Sequence, residues 1–119
     1  MSVTTAEVAE IIRGVSTRVI DPGFRRLSPD QIHEKAPGDL VTDLDRQAEG
    51  ELSRLLTSAG GGIVVGEESV HDDASVLQEL PTAELAWVID PIDGTKNYVN
   101  GSTHHAVMVA EVQHGVTTR

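Results

Sequence analysis

Val8, Ile11, Ile12, Val15 and Val19 recur at helical spacing and predict an amphipathic helix over residues 5–20. Thr4 and Glu7 stand at capping-box spacing at its start, and Asp21-Pro22 reads as its stop. Residues 21–39 read as irregular, punctuated by Pro22, Pro29, Pro37 and Gly38. Leu44, Ala48, Leu52, Leu55, Leu56 and Ala59 stripe a second helix that begins at Thr42 or Asp43 and ends at Ala59. Gly60-Gly61-Gly62 closes it, because glycine reaches the left-handed conformation that a helix end needs.

Beyond the glycines the period changes. Ile63-Val64-Val65 is a short β-branched run that stops at Gly66, Glu67 and Glu68. Residues 69–84 are polar and acidic and predict a loop, with one helical turn around Ser75 to Leu80. Leu85 to Ile89 is a continuous apolar run, as expected of a strand covered on both faces. Ala106 to Val112 predicts another strand, Gln113-His114-Gly115 a turn, and Val116 to Arg119 the start of a returning strand. A hairpin that stops as its second strand begins leads us to expect a truncated chain, with residues 1–119 forming the N-terminal portion of a larger domain.

Composition narrows the functions. Nineteen acidic residues against nine basic ones leave a formal charge of −10, which opposes nucleic acid and anionic membranes as partners. A phosphorylated metabolite remains compatible where bound cations reverse the charge locally. The chain has no cysteine, which excludes disulfide frameworks and thiolate metal sites and suits a cytoplasmic setting. The N-terminal stretch lacks a basic-then-apolar leader, and no apolar run approaches membrane-spanning length. With 39% hydrophobic residues and 3% aromatic ones the core is thin, and an unfinished sheet edge favours self-association, so a homodimer is expected.

The chemistry concentrates in Trp87-Val88-Ile89-Asp90-Pro91-Ile92-Asp93-Gly94-Thr95. A buried strand that ends in two carboxylates presents both at the carboxyl end of a sheet, where open α/β sheets bind ligands. Pro91 restricts the backbone between them. Two neighbouring acids stay ionised together only around a cation, and all-oxygen ligands suit Mg²⁺ or Mn²⁺. Gly94 and Thr95 offer close backbone approach, N–H donors and a hydroxyl for a phosphate. The alternative is an Asx-type turn at Asp93-Gly94. Glu67 and Glu68 follow another short strand, and Asp39, Asp43 and Asp45 surround the start of the second helix, where capping is the alternative role.

These segments resemble the inositol monophosphatase family of lithium-sensitive, Mg²⁺-dependent phosphatases. The likeness rests on Asp39-Leu40-Val41-Thr42-Asp43-Leu44-Asp45, on Gly66-Glu67-Glu68-Ser69 and on Trp87 through Thr95-Lys96-Asn97-Tyr98. It implies a layered α-β-α-β-α sugar-phosphatase fold, here its N-terminal half. It also implies roughly two or three Mg²⁺ ions, with Mn²⁺ as a substitute. Glu67, Asp90 and the carbonyl of Ile92 would ligate one ion, and Asp90 would bridge to a second that Asp93 also binds. Gly94 and Thr95, beside Asp93, would hold the phosphate. The Thr95 hydroxyl, hydrogen-bonded to Asp45, would orient or deprotonate the attacking water, with Glu67 also counted in the catalytic set and Glu68 behind it.

The activity so implied is hydrolysis of a small phosphomonoester, inositol monophosphate first. Lys96 stands where the inositol branch often carries threonine, and it makes histidinol phosphate or 3′-phosphoadenosine compounds the alternative substrates. Ser102-Thr103-His104-His105 replaces a stretch that is usually proline- and aromatic-containing. Family members are much longer, and their C-terminal half supplies a further metal-ligating aspartate and most substrate contacts. The contrasting expectation is therefore an inactive fragment that only binds cations. His104 and His105 are adjacent at a strand entry, so their side chains point to opposite faces and do not share an ion.

Overall fold

The computed structural model of the chain describes residues 3–119. Helix α1 (Thr5–Val15) starts at the predicted capping box: the Glu7 N–H donates to Thr4 Oγ1 at 3.1 Å, and the Thr4 N–H to Glu7 Oε1 at 3.3 Å. It passes through a π segment (Ser16–Ile20) into a last short turn, α2 (Asp21–Gly23), so the helical path runs on past the expected stop at Asp21-Pro22. The Asp21 N–H donates to the carbonyl of Ser16, five residues back. That widening accommodates Pro22, whose ring would crowd a carbonyl four residues back and which has no N–H to give. Val8, Val15, Val19 and Ile20 are buried, with Ile11 and Ile12 packed against the same core.

Residues 21–39 are more ordered than their sequence suggests. Strands β1 (Ile32–Ala36) and β2 (Asp39–Thr42) form an antiparallel ribbon, turned at Gly38 with φ 78°. The polar side chains of His33, Glu34 and Lys35 hid the strand, because a narrow ribbon need not alternate apolar and polar residues. β2 delivers Thr42 to the start of helix α3 (Asp43–Gly60), as the N-cap of a second capping box closed by Asp45. Ala48, Leu52 and Leu56 are buried along α3, and Leu44 and Leu55 are partly so. Ala59 is exposed and does not join the stripe. Gly61, at φ 74°, ends the helix.

Strands β3 (Ile63–Gly66), β4 (Ala86–Asp93), β5 (Ala106–Gln113) and β6 (Val116–Thr117) form a sheet in that order. β3 and β4 are parallel, and the remaining pairs are antiparallel. Trp87 and Ile89 project from β4 into the core with Val15, Leu52 and Leu56, and the Trp87 indole N–H donates to the carbonyl of Gly61 at 3.0 Å. The β4–β5 register breaks between Asp90 and Asp93, which allows Pro91 within a strand and releases the Ile92 backbone from the ladder. His114 and Gly115, at φ 50° and 80°, make the tight turn into β6.

The segment expected to be a loop from residue 69 is corrected in its first part. Helix α4 (Glu67–Asp72) begins directly at the end of β3, followed by a 3₁₀ turn (Ala74–Gln78) where the helical turn was expected. Helix α5 (Thr95–Val99) begins as directly at the end of β4. Among the described residues, no helix is long and apolar enough to cross a membrane.

Candidate active site

Parallel pairing aligns Gly66 with Ile89, so the residues that follow, Glu67 and Asp90, emerge side by side at the carboxyl ends of β3 and β4. Desolvation pushes the Asp90 carboxyl up to about 8, aided by its hydrogen bond with Glu67 and by the charges of Glu67, Asp93 and Asp45. That same hydrogen bond holds Glu67 below its ordinary value, against burial and with help from Lys35. Asp90 Oδ1 is buried and has no hydrogen-bond partner among the described residues. A buried acceptor without a donor is costly, and a cation would relieve it.

The nearest positive charge comes from β1. Lys35 Nζ donates to Glu68 Oε1 and Oε2 at 3.2 and 3.3 Å and reaches Glu67 Oε1 at 3.4 Å. The Lys35 and Glu68 side chains are 5% and 3% exposed, so this pair is buried. Desolvation acts to lower the Lys35 pKa, but Glu68 and Glu67 outweigh it and hold the ammonium above its ordinary value. Burial pushes the Glu68 carboxyl up, against the pull of Lys35.

Asp45 lies on the other side, fully buried in the first turn of α3. Its Oδ2 accepts the Thr42 N–H at 2.8 Å and the Thr42 hydroxyl at 2.6 Å, while Oδ1 lies 3.0 Å from Thr95 Oγ1. The carboxylate thus caps its helix and meets the predicted hydroxyl partner at once. Burial pushes its pKa up, opposed by the hydrogen bonds from Thr42 and Thr95. Thr95 Oγ1 is also 3.0 Å from the carbonyl of Ile92, so its single proton has two acceptors to choose between.

Gly94 adopts the left-handed conformation at φ 84°, and a Cβ there would stand 2.8 Å from the carbonyl oxygen of His104. Both the conformation and the close approach call for glycine. Asp93 is exposed at the end of β4. His105 packs against Phe24 and Tyr98 with ring centroids 5.2 and 5.0 Å away, whereas His104 is exposed. Sequence reading passed over Lys35 and Glu49, whose partners lie far along the chain. The Pro37-Gly38 turn signal beside Lys35 could have pointed to the ribbon that carries it.

Among the described residues no group of three or more His, Cys, Asp and Glu is gathered tightly enough to hold a metal ion unaided. The donor chemistry nevertheless suits a hard divalent cation. The carboxylates of Glu67, Asp90 and Asp93 and the carbonyl of Ile92 are all oxygen donors, and Asp90 Oδ1 lacks any other partner.

The sequence profile of the inositol monophosphatase family matches residues 2–118. The chain belongs to the inositol monophosphatase family. The chain is 33% identical over 108 residues to the fructose-1,6-bisphosphatase/inositol-1-monophosphatase of Aquifex aeolicus, covering 90% of this chain and 38% of that protein. It is 37% identical over 88 residues to the Nus factor SuhB of Pseudomonas aeruginosa, covering 73% of this chain and 31% of that protein. The structure of the Thermotoga maritima IMPase superposes with a TM-score of 0.74 at 23% identity, covering 91% of this chain and 39% of that one. The chain therefore spans about a third of the length of these curated relatives and adopts the inositol monophosphatase fold over that stretch. The family is one of phosphatases.

Proposed function

We propose that the chain carries the acidic, water-orienting part of a Mg²⁺-dependent phosphomonoesterase, with inositol monophosphate as the substrate. The observation that carries this reading is the Glu67–Asp90 pair, with Asp90 Oδ1 left without a donor, beside the Thr95–Asp45 contact. Glu67, Asp90, Asp93 and the Ile92 carbonyl would hold the cation. When bound, Mg²⁺ polarises phosphate oxygens, supplies a nucleophilic water at neutral pH and stabilises the leaving alkoxide.

The chain's own groups account for the rest. The free N–H groups at the start of α5, behind Gly94, would receive phosphate oxygens. The Thr95 hydroxyl donates to Asp45 and keeps lone pairs with which to accept a proton from water. Asp45 then receives the hydroxyl proton, a step favoured by the raised affinity for protons that burial gives it. Exposed Lys96 on α5 is the feature that favours histidinol phosphate as the competing substrate.

The test is phosphate release from inositol monophosphate and histidinol phosphate, with and without Mg²⁺, beside Asp90→Asn. Release that needs Mg²⁺ and is lost in the variant supports the reading. Release that persists in Asp90→Asn, or that needs no divalent ion, overturns it. The chain spans about a third of its relatives' length, so the second reading is a stretch that binds cations without turnover by itself. Cation uptake without any phosphate release would favour that one.

A further inference from the structure

Behind the carboxylates stands a residue that the proposed chemistry does not use. Glu49 lies on α3 and is 8% exposed. Its Oε1 accepts the Glu68 N–H at 2.8 Å and its Oε2 the Ser69 N–H at 3.0 Å. Both donors belong to the first turn of α4, whose N–H groups have no partner within the helix. A Cβ on Gly66 would collide with the Glu49 carboxylate, while the φ of −104° at Gly66 is open to any residue. The glycine between β3 and α4 therefore makes room for this carboxylate. Asp45 and Glu49 lie one helical turn apart on α3, so a single helix face grips both sides of the site.

We propose that Glu49 is a positioning residue: it anchors the start of α4 and thereby aims Glu67 and Glu68 at Asp90 and Lys35, so that divalent-ion affinity depends on a side chain that does not touch the ion. The inference rests on the reading of Glu67 as a metal ligand. Two acceptor oxygens are needed for the two amides. A glutamine at this position offers one oxygen and turns an NH₂ group towards the second N–H. An aspartate keeps the charge but is one methylene too short.

The experiment compares wild type, Glu49→Gln, Glu49→Asp and Gly66→Ala in the 119-residue chain. Amide hydrogen exchange is followed at Glu68 and Ser69 without metal, and Mn²⁺ affinity is measured by electron paramagnetic resonance. Gly66→Ala reaches the same anchor by displacing the end of a flexible side chain, so it serves where Glu49 variants fold poorly. Leu55→Ala, on the partly buried side of α3, is the control for lost stability alone.

The expected result is faster exchange at Glu68 and Ser69 in Glu49→Gln and Gly66→Ala, with Mn²⁺ affinity weakened about tenfold or more. Glu49→Asp is expected to recover neither, and Leu55→Ala to lower the melting temperature at unchanged Mn²⁺ affinity. Unchanged exchange at the two amides, or Mn²⁺ affinity within about twofold of wild type in folded Glu49→Gln, overturns the proposal. A wild-type chain that takes up no Mn²⁺ would overturn the metal-ligand reading first, and the link to ion affinity with it. The exchange data would then still report separately on the anchor.

Discussion

Thr95 Oγ1 lies 3.0 Å from Asp45 Oδ1, although the two residues are fifty positions apart in the chain. The contact exists because β2 ends in the cap of α3 while β4 ends in the start of α5, which brings two helix beginnings together. Asp45→Asn keeps the shape but makes a poor proton acceptor. It is expected to lower turnover of the phosphomonoester by about 10²-fold or more, measured as phosphate release under saturating Mg²⁺. Thr95→Val is expected to match it, and the double variant to lose little more.

Asp90 makes the metal-free chain sensitive to pH. Its folded pKa of about 8 stands above the ordinary 3.8, so the unfolded chain gives up this proton first. Stability from this group is therefore intact below about pH 4, declines as pH rises and is lost above about pH 8. Asp90→Asn is expected to raise the melting temperature of the metal-free chain at pH 8 and to change it little at pH 4. A variant that melts lower than wild type at pH 8 would contradict the unfavourable placement of this carboxyl.

Lys35 is the resident cation of the cluster. Lys35→Met leaves Glu68 buried without its partner, which is expected to destabilise the chain by about 3 kcal/mol in urea unfolding without metal. Millimolar Mn²⁺ should recover more stability in this variant than in wild type, because the carboxylates then lack a competitor.

Gly94→Ala forces an L side chain into a positive-φ position against the carbonyl of His104. The expected loss is about 1–3 kcal/mol by thermal unfolding, together with weaker binding of inorganic phosphate.

The parts that sequence pattern revealed are those whose causes are local. The capping box at Thr4 lies within one turn of its partner, and the β3 and β4 apolar runs carry their own signal. For Asp45, capping and chemistry were competing readings, yet one carboxylate caps α3 with Oδ2 and meets Thr95 with Oδ1. What stayed hidden depends on distant partners. α4 is capped by Glu49 rather than by its own flank, and Lys35 finds Glu67 and Glu68 across the fold. The helical path continues past Pro22 because the preceding turn widens, which no apolar period announces.

Calorimetric titration of the chain with Mn²⁺ at pH 8, beside Asp90→Asn, tests the central claim most directly. Saturable uptake that releases protons is expected, since the proton that the raised pKa keeps on Asp90 must leave when the ion binds, with uptake and release both lost in the variant. Uptake that is absent in wild type, or unchanged when Asp90 is replaced, would contradict it.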